Sequence, residues 1–310
     1  MKTRGAKEIY TLAHLRDWKS GTSEVNPPIL LGVLGDPIAH SLSPQMQNAA
    51  LDQCGIHMQY ARFQIRPNEL RDALELMRTL EFTGLNLTVP HKVAGCALVD
   101  EMDVEAKEIG AINTIALRQG RAFGFNTDGV GFARAIRSEF SVDLRDLRVL
   151  LLGAGGAGRA IAVQCANAGC ERLVIVNRDL PKAQQLAAQL QPALAGPRVL
   201  GPVARLEAVP WDERALKFQI DHTDLIVHAT PLGLNPNDPA VLPSTLLQPH
   251  LMVYDTVYSR HRTPLMTAAT EAGARAADGL SMLLHQGARA FEMWFEREAP
   301  LEVMRAALSA

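Results

Sequence analysis

Apolar residues fall along this chain in short bursts, and the spacing within them changes from one burst to the next. ILLGVL (29–34) is continuous and strand-length, the pattern of a strand buried on both faces. Residues 44–54 space their apolar positions for a helix, with Ser43 expected as its N-cap and Pro44 in its first turn. Residues 60–65 alternate as a strand, 67–80 return to helical spacing, and 85–89 read as another strand. Strand and helix thus alternate over roughly the first 130 residues, which predicts a mainly parallel α/β sheet. Ahead of this series, residues 1–28 read as an extension with a short helix over 12–18, ending at the breaker Pro27-Pro28.

A second series opens at RVLLL (148–152), a strand running into a glycine turn and then an apolar helix over 157–168, with Gly169 as its stop. A strand over 173–176 and a helix over 182–190 follow. Residues 191–210, rich in Pro, Gly and Ala, read as the least structured stretch. Two further strands are expected at 224–228 and 252–255. Beyond Gly279 the spacing is helical to the end, over 281–295 and 301–308.

Composition narrows the class. With 310 residues the chain is long enough for two domains, each with its own core. Hydrophobic residues at 47% and charged residues at 21% suit a folded globular protein. A formal net charge of −2 with no block of like charges offers no basic surface for nucleic acid and no polybasic patch for a membrane. Charges interrupt the first twenty or so residues, so no signal-peptide core is expected there, and the apolar runs are too short to span a bilayer. The four cysteines, Cys54, Cys96, Cys165 and Cys170, match neither a zinc motif nor a disulfide framework and read as buried or incidental thiols. The expectation is a cytoplasmic enzyme or binding protein.

Gly153-Ala154-Gly155-Gly156-Ala157-Gly158 fits G-x-G-x-x-G, with an apolar strand before it and an apolar helix after it. Without Cβ atoms the turn is tight, and backbone N–H groups at the helix start can face a pyrophosphate. A dinucleotide site is therefore expected. The second strand of such a site commonly ends in an acid that holds the ribose 2′-OH of NAD. Here it ends in Asn177-Arg178, and the planar donors of arginine suit a 2′-phosphate. Lys182 could add a second cation, whereas an inward-pointing Asp179 would repel the phosphate. NADP (NADPH) is the expected cofactor, with NAD as the alternative.

Polar motifs cluster in the first series. Ser41-Leu42-Ser43-Pro44 places two hydroxyls before a helix, and Asn86-Leu87-Thr88-Val89-Pro90-His91-Lys92 places polar groups and a lysine at the carboxyl end of a strand. Ala111-Ile112-Asn113-Thr114 and Asn126-Thr127-Asp128-Gly129 continue the theme. Taken singly, each is more often a cap or a turn. Together they supply neutral donors and acceptors for a polyhydroxylated ring, at the edge where open α/β sheets bind ligands.

PIAHSLSP (37–44), NLTVPHK (86–92), GAINT (110–114), NTDG (126–129), GAGGAGRA (153–160) and GLSMLLHQGARAF (279–291) occur in this order. In these motifs the chain resembles the shikimate dehydrogenase family and its quinate-using relatives, from about Ile29 to the C-terminus. The resemblance implies an α/β fold of two domains: a substrate domain with mainly parallel sheet, 1–128 plus 279–310, and an inserted Rossmann NADP-binding domain, 129–278, with the active site in the cleft. It implies that Ser41, Ser43, Thr88, Asn113, Asp128, Tyr258 and Gln286 contact substrate, and that Lys92 and Asp128 form the catalytic pair. Thr256 and Gly279 would lie near the nicotinamide. The implied reaction is reversible, NADPH-dependent reduction of 3-dehydroshikimate to shikimate, a step toward chorismate and the aromatic amino acids. Relatives include monomers and dimers, so a homodimer is among the expected states.

The chemistry suits those residue types. Hydride transfer to a ketone leaves negative charge on oxygen, and a cation or proton donor beside it lowers the barrier. Lys92 can be both, with Asp128 holding its ammonium and favouring the charged form. No metal is needed; His91, His228, His261 and His285 are scattered in sequence and read as structural or surface residues. The chain departs from the family pattern at His228-Ala229-Thr230, where Asn-Ala-Thr is usual, at Ser259-Arg260-His261 after Tyr258, and at Asp179, where threonine is frequent. Two other readings compete: a quinate/shikimate enzyme preferring NAD, which kinetics with both acids and both cofactors separates, and a non-catalytic NADP sensor, which has no need of a Lys–Asp pair.

Overall fold

In the computed structural model, which describes residues 6–195, 203–235, 237–258 and 262–309, the chain divides into two α/β units. The first takes in the chain up to Thr127 and again from Leu284; the second is Asp128–Leu283. Among the described residues no helix is long and apolar enough to cross a membrane.

The first unit is built on β1 (Tyr10–Thr11), β2 (Ile29–Gly35), β3 (Gln59–Gln64), β4 (Gly84–Leu87), β5 (Glu101–Met102), β6 (Thr114–Arg118) and β7 (Arg121–Phe125), in the order β1-β3-β2-β4-β6-β7-β5. The β1-β3-β2-β4 half is parallel, while β6 pairs antiparallel with β4 and with β7. The β6–β7 hairpin turns at Gln119 (φ 51°) and Gly120 (φ 73°), two successive left-handed residues that match the strand twist.

Two expectations are corrected in this unit. Ser43 is not the N-cap but the first residue of helix Ser43–Gln53; Leu42 occupies the cap, without a side-chain bond. Pro44 tolerates the first turn, and Ser41 Oγ takes the Ser43 N–H at 3.4 Å, so the hydroxyl that acts locally belongs to Ser41. Residues 10–25, read as an extension, belong to the core: β1 lengthens the sheet, and Leu12, Leu15, Trp18 and Val25 are buried with Phe63 and Phe82. Trp18 packs against both of the last two, with ring centroids at 5.7 and 5.4 Å. At the other end of the chain, Trp294 of helix Leu280–Phe295 donates to the Ile115 carbonyl at 3.0 Å, and Leu301–Leu308 packs on Ser43–Gln53.

The second unit has six parallel strands: β8 (Arg148–Leu152), β9 (Arg172–Asn177), β10 (Leu206–Pro210), β11 (Leu225–His228), β12 (Met252–Asp255) and β13 (Arg275–Ala277). Their order is β10-β9-β8-β11-β12-β13. Counted within the unit this is 3-2-1-4-5-6, the doubly wound Rossmann arrangement, whose strand order reverses between β8 and β11. The expectation for 191–210 is corrected: helix Leu180–Leu194 runs into it and β10 ends it, while 196–202 lie outside the described residues. As an edge strand with only Val209 buried, β10 leaves little apolar signal.

Candidate active site

β8 ends at Leu152, and the glycine turn follows at the switch point of the sheet. Gly153 has φ 115°, and a Cβ there would lie 2.6 Å from the Ala229 carbonyl oxygen, so only glycine fits. A Cβ on Gly158 would overlap the Gly153 carbonyl, which lets the helix start close against the turn. Gly155 differs: it is exposed, and a Cβ there would meet nothing within 4 Å. Gly155 also caps helix Gly156–Asn167 without a side-chain bond. An open backbone at the start of a twelve-residue helix suits a pyrophosphate, because N–H groups and the positive dipole end face outward. Gly153, Ala154, Gly155, Gly156 and Ala157 therefore fit a dinucleotide.

The end of β9 is tied to this turn. Asn177 Oδ1 accepts the Ala154 N–H at 3.2 Å, and its Nδ2 donates to the Asp179 carbonyl at 2.9 Å. Arg178 is exposed. Asp179 and Lys182 form an ion pair at 3.2 Å across one helical turn. The carboxylate thus meets a cation of its own element, which offsets the repulsion it would exert on a phosphate.

In the first unit the polar motifs converge on the carboxyl edge of β2 and β4. Buried Ser41 accepts both Arg62 Nε (2.9 Å) and Nη2 (2.7 Å) at its carbonyl. Ser43 is buried in the first helical turn beside it. Thr88, just past β4, donates its N–H to the Leu34 carbonyl at 2.9 Å and accepts the His91 N–H at 2.7 Å. His91 is buried and its Nε2 donates to the Ile65 carbonyl at 2.7 Å, anchoring the segment that carries half-buried Lys92. Burial pushes the His91 ring below the usual histidine range against the opposing pull of that carbonyl and of Asp36, so it serves as a neutral peg. The Lys92 carbonyl accepts the Ile112 N–H at 2.9 Å, joining this segment to the one bearing Asn113.

Asn113 and Gln286 are brought together, with Asn113 Nδ2 donating to Gln286 Oε1 at 3.2 Å. The same side chain holds Thr127: Oδ1 accepts the Thr127 N–H at 2.8 Å, and Nδ2 reaches Thr127 Oγ1 at 2.9 Å. Asn113 thereby fixes the residue that precedes Asp128. Behind it lies a layer that motif reading left without a role. Tyr60 OH donates to Asn86 Oδ1 at 2.7 Å, and Asn86 Nδ2 donates to the Asn113 carbonyl and to Thr114 Oγ1, both at 3.0 Å. The signal was present: Asn86 is an amide between Leu85 and Leu87 in a strand, and a buried amide must find partners.

In the second unit, buried Asp128 opens helix Asp128–Phe140, where the first-turn N–H groups favour an anion. Thr256 and Tyr258 follow β12, both half-buried; residues 259–261, including His261, lie outside the described residues. Gly279 meets Thr256: its N–H reaches the Val257 carbonyl at 3.4 Å, and a Cβ on it would overlap the Thr256 carbonyl. His228 is a buried partner of Asp255, not a surface residue.

A doubly wound sheet with a glycine turn at its switch point, in a chain whose other α/β unit presents hydroxyls, amides and a lysine at its carboxyl edge, defines the class of two-domain dinucleotide-binding α/β proteins. Comparison with known proteins narrows the class. Residues 33–115 match the shikimate dehydrogenase substrate binding domain, 134–200 the shikimate / quinate 5-dehydrogenase domain and 279–308 the shikimate 5'-dehydrogenase C-terminal domain. A shikimate dehydrogenase (NADP(+)) from Methanopyrus kandleri is 41% identical over 281 residues, covering 90% of this chain and 94% of that protein. A shikimate dehydrogenase solved in complex with NADP+ superposes with TM-score 0.81 at 32% identity over 91% of this chain and 95% of its own. The Thermus thermophilus shikimate 5-dehydrogenase, solved with NADP(H) and shikimate, gives TM-score 0.77 at 35% identity over 91% and 98%. The chain belongs to the shikimate dehydrogenase family.

Proposed function

We propose that this chain is an NADP-dependent oxidoreductase that reversibly reduces the ring ketone of 3-dehydroshikimate to the alcohol of shikimate, a step toward chorismate and the aromatic amino acids. The observation that carries this reading is the glycine turn at the switch point of a 3-2-1-4-5-6 sheet, in a chain 41% identical to a shikimate dehydrogenase (NADP(+)). When bound, NADPH supplies the hydride. Gly153, Ala154, Gly155, Gly156 and Ala157 would hold its pyrophosphate, Arg178 its adenosine ribose phosphate with Asn177 bracing the turn and Lys182 offsetting Asp179, and Thr256 and Gly279 its nicotinamide end. Ser41, Ser43, Thr88, Asn113, Asp128, Tyr258 and Gln286 bind the substrate.

Lys92 and Asp128 are the catalytic pair in this proposal. The Lys92 ammonium donates its proton to the carbonyl oxygen as negative charge develops there, and the amine takes it back from the hydroxyl in the reverse direction. Asp128 would hold the ammonium in place. Hydroxyl and amide side chains suit a ring bearing several hydroxyls, since each can donate or accept.

An absorbance assay at the nicotinamide band, pairing shikimate or quinate with NADP⁺ or NAD⁺, tests the proposal. Shikimate with NADP⁺ is expected to be the best pair, and Lys92→Ala to lower kcat by at least about 100-fold. Near-normal turnover in that variant removes lysine from the mechanism. Preference for quinate with NAD⁺ moves the chain to the quinate-using relatives. No shikimate-dependent reduction at all leaves a dinucleotide-binding protein without this activity.

A further inference from the structure

β11 ends at His228 and its parallel neighbour β12 ends at Asp255, paired in register. Both side chains are buried, 1% and 0% exposed. His228 Nδ1 lies 2.9 Å from Asp255 Oδ1, and Nε2 lies 2.5 Å from Thr230 Oγ1. Asp255 Oδ1 also accepts the Val257 N–H at 3.0 Å, and Oδ2 accepts the Thr263 hydroxyl at 2.6 Å. Thr230 Oγ1 in turn accepts the Leu232 N–H at 3.3 Å. A neutral ring satisfies the whole chain with the proton on Nδ1 donated to Asp255, and the Thr230 hydroxyl donated to Nε2. Burying a carboxylate and an imidazole is costly, and it is sustained here because each polar atom named has a partner.

The chain joins two loops at the carboxyl edge of the sheet. The loop after β11 rests on the glycine turn: a Cβ on Gly153 would lie 2.6 Å from the Ala229 oxygen and 2.9 Å from Thr230 Cγ2. The loop after β12 carries Thr256 and is in contact with Gly279. Movement of Thr230 is therefore felt directly at the turn proposed to hold the pyrophosphate.

We propose that His228 is a positioning residue for the dinucleotide: bridging Asp255 and Thr230, it ties the residues that follow β11, which lie against the glycine turn, to the end of β12 and so sets the affinity for NADPH. The inference rests on the dinucleotide site proposed above. Direct titration of NADPH, followed by its nicotinamide fluorescence, and steady-state kinetics test it together. His228→Ala is expected to raise both Kd and KM for NADPH about tenfold, the scale of losing a buried hydrogen-bond bridge, while kcat stays within about twofold. His228→Asn should rescue binding to within about threefold, because an amide can donate to Asp255 and accept from Thr230. Thr230→Val removes one hydroxyl and leaves the His–Asp pair, so it decides the matter should His228→Ala not fold; NADPH binding is expected to weaken in it as well. If wild type takes up no NADPH, the dinucleotide site itself is wrong. If wild type binds and both His228→Ala and Thr230→Val bind equally well, the positioning role is overturned, as it is if the variants lose melting temperature with NADPH affinity unchanged.

Discussion

At the end of β9 three consecutive residues are placed for different tasks. Asn177 spends its amide on the backbone of the glycine turn and of Asp179. Asp179 is engaged with Lys182, so the two residues that pulled in opposite directions in the sequence largely cancel each other. That leaves Arg178, exposed at the strand end, as the cation available to a 2′-phosphate. Arg178→Ala should raise the KM for NADPH about tenfold or more, the size of a charge-assisted contact. The KM for NADH should stay within about twofold, because that molecule lacks the phosphate and removing a uniform binding contact shows only where the contact exists. An equal rise for both cofactors would place Arg178 against some other part of the dinucleotide. The identity of Arg178 was legible in the sequence; the Asp179–Lys182 pairing, set by side-chain direction at the start of helix Leu180–Leu194, was not.

The elements of the second unit are pinned at their amino ends as well as their carboxyl ends. Asp224, preceding β11, donates its N–H to the carbonyl of Arg148, which opens β8, at 2.9 Å, and Asp224 Oδ2 accepts Arg148 N and Nε, both at 2.9 Å; Nη2 meets Oδ1. Burial pushes the Asp224 carboxyl up, but the hydrogen bonds and charge of Arg148 outweigh it and hold the carboxyl below its ordinary value. A depressed folded value means the unfolded chain binds the proton more readily. The stability from this pair is therefore present above the ordinary carboxylate range and lost as pH falls from there through the depressed folded value. Asp224→Asn should lower the melting temperature at pH 7 by about 2–4 °C for each kcal/mol lost, and the gap between variant and wild type should narrow as pH falls below the ordinary aspartate value of about 3.9 and close below the depressed folded value. A gap that persists at low pH would assign the effect to packing. Elements of this unit with strong apolar runs, β8, β9, β11 and β12, were legible because strands covered on both faces carry the pattern themselves. β10, at the edge, and the β6–β7 hairpin of the first unit were not. The hairpin turns at Gln-Gly rather than Asn-Gly or Asp-Gly, and its glycines at 120 and 124 thin the strand signal. Helix Asp128–Phe140 has a readable face, with Phe132, Ala135, Ile136 and Phe140 buried, but its start coincides with NTDG, whose composition reads as a turn.

Across the whole molecule the chain leaves the first unit at Thr127 and re-enters it at Leu284, so the two units depend on the chain ends differently. The second unit is one continuous segment with its own sheet and its own core, centred on Leu150, Val174, Ile226 and Val253. The first cannot be complete until its last helices are made. A Cβ on Gly84 would overlap the Trp294 indole, whose Nε1 donates to Ile115, and Gln47 donates to the Gly287 carbonyl at 2.9 Å. Losing one such buried tryptophan costs about 3–5 kcal/mol, and a domain has only about 5–15 kcal/mol in total. A chain ending at residue 283 loses Phe291 and Met304 from the first unit as well, both fully buried. Its first unit should therefore fail to fold while the second survives. Limited proteolysis of that chain in the presence of NADPH should leave a protected fragment close to Asp128–Leu283, with the preceding residues digested. Expressed alone, 128–283 should unfold cooperatively in urea and bind NADPH without reducing 3-dehydroshikimate, since Lys92 and the hydroxyl-lined edge are gone. Digestion of both parts at the same rate, or a 128–283 fragment that takes up no NADPH, would show that the cofactor unit draws its stability from residues outside its own sheet and core.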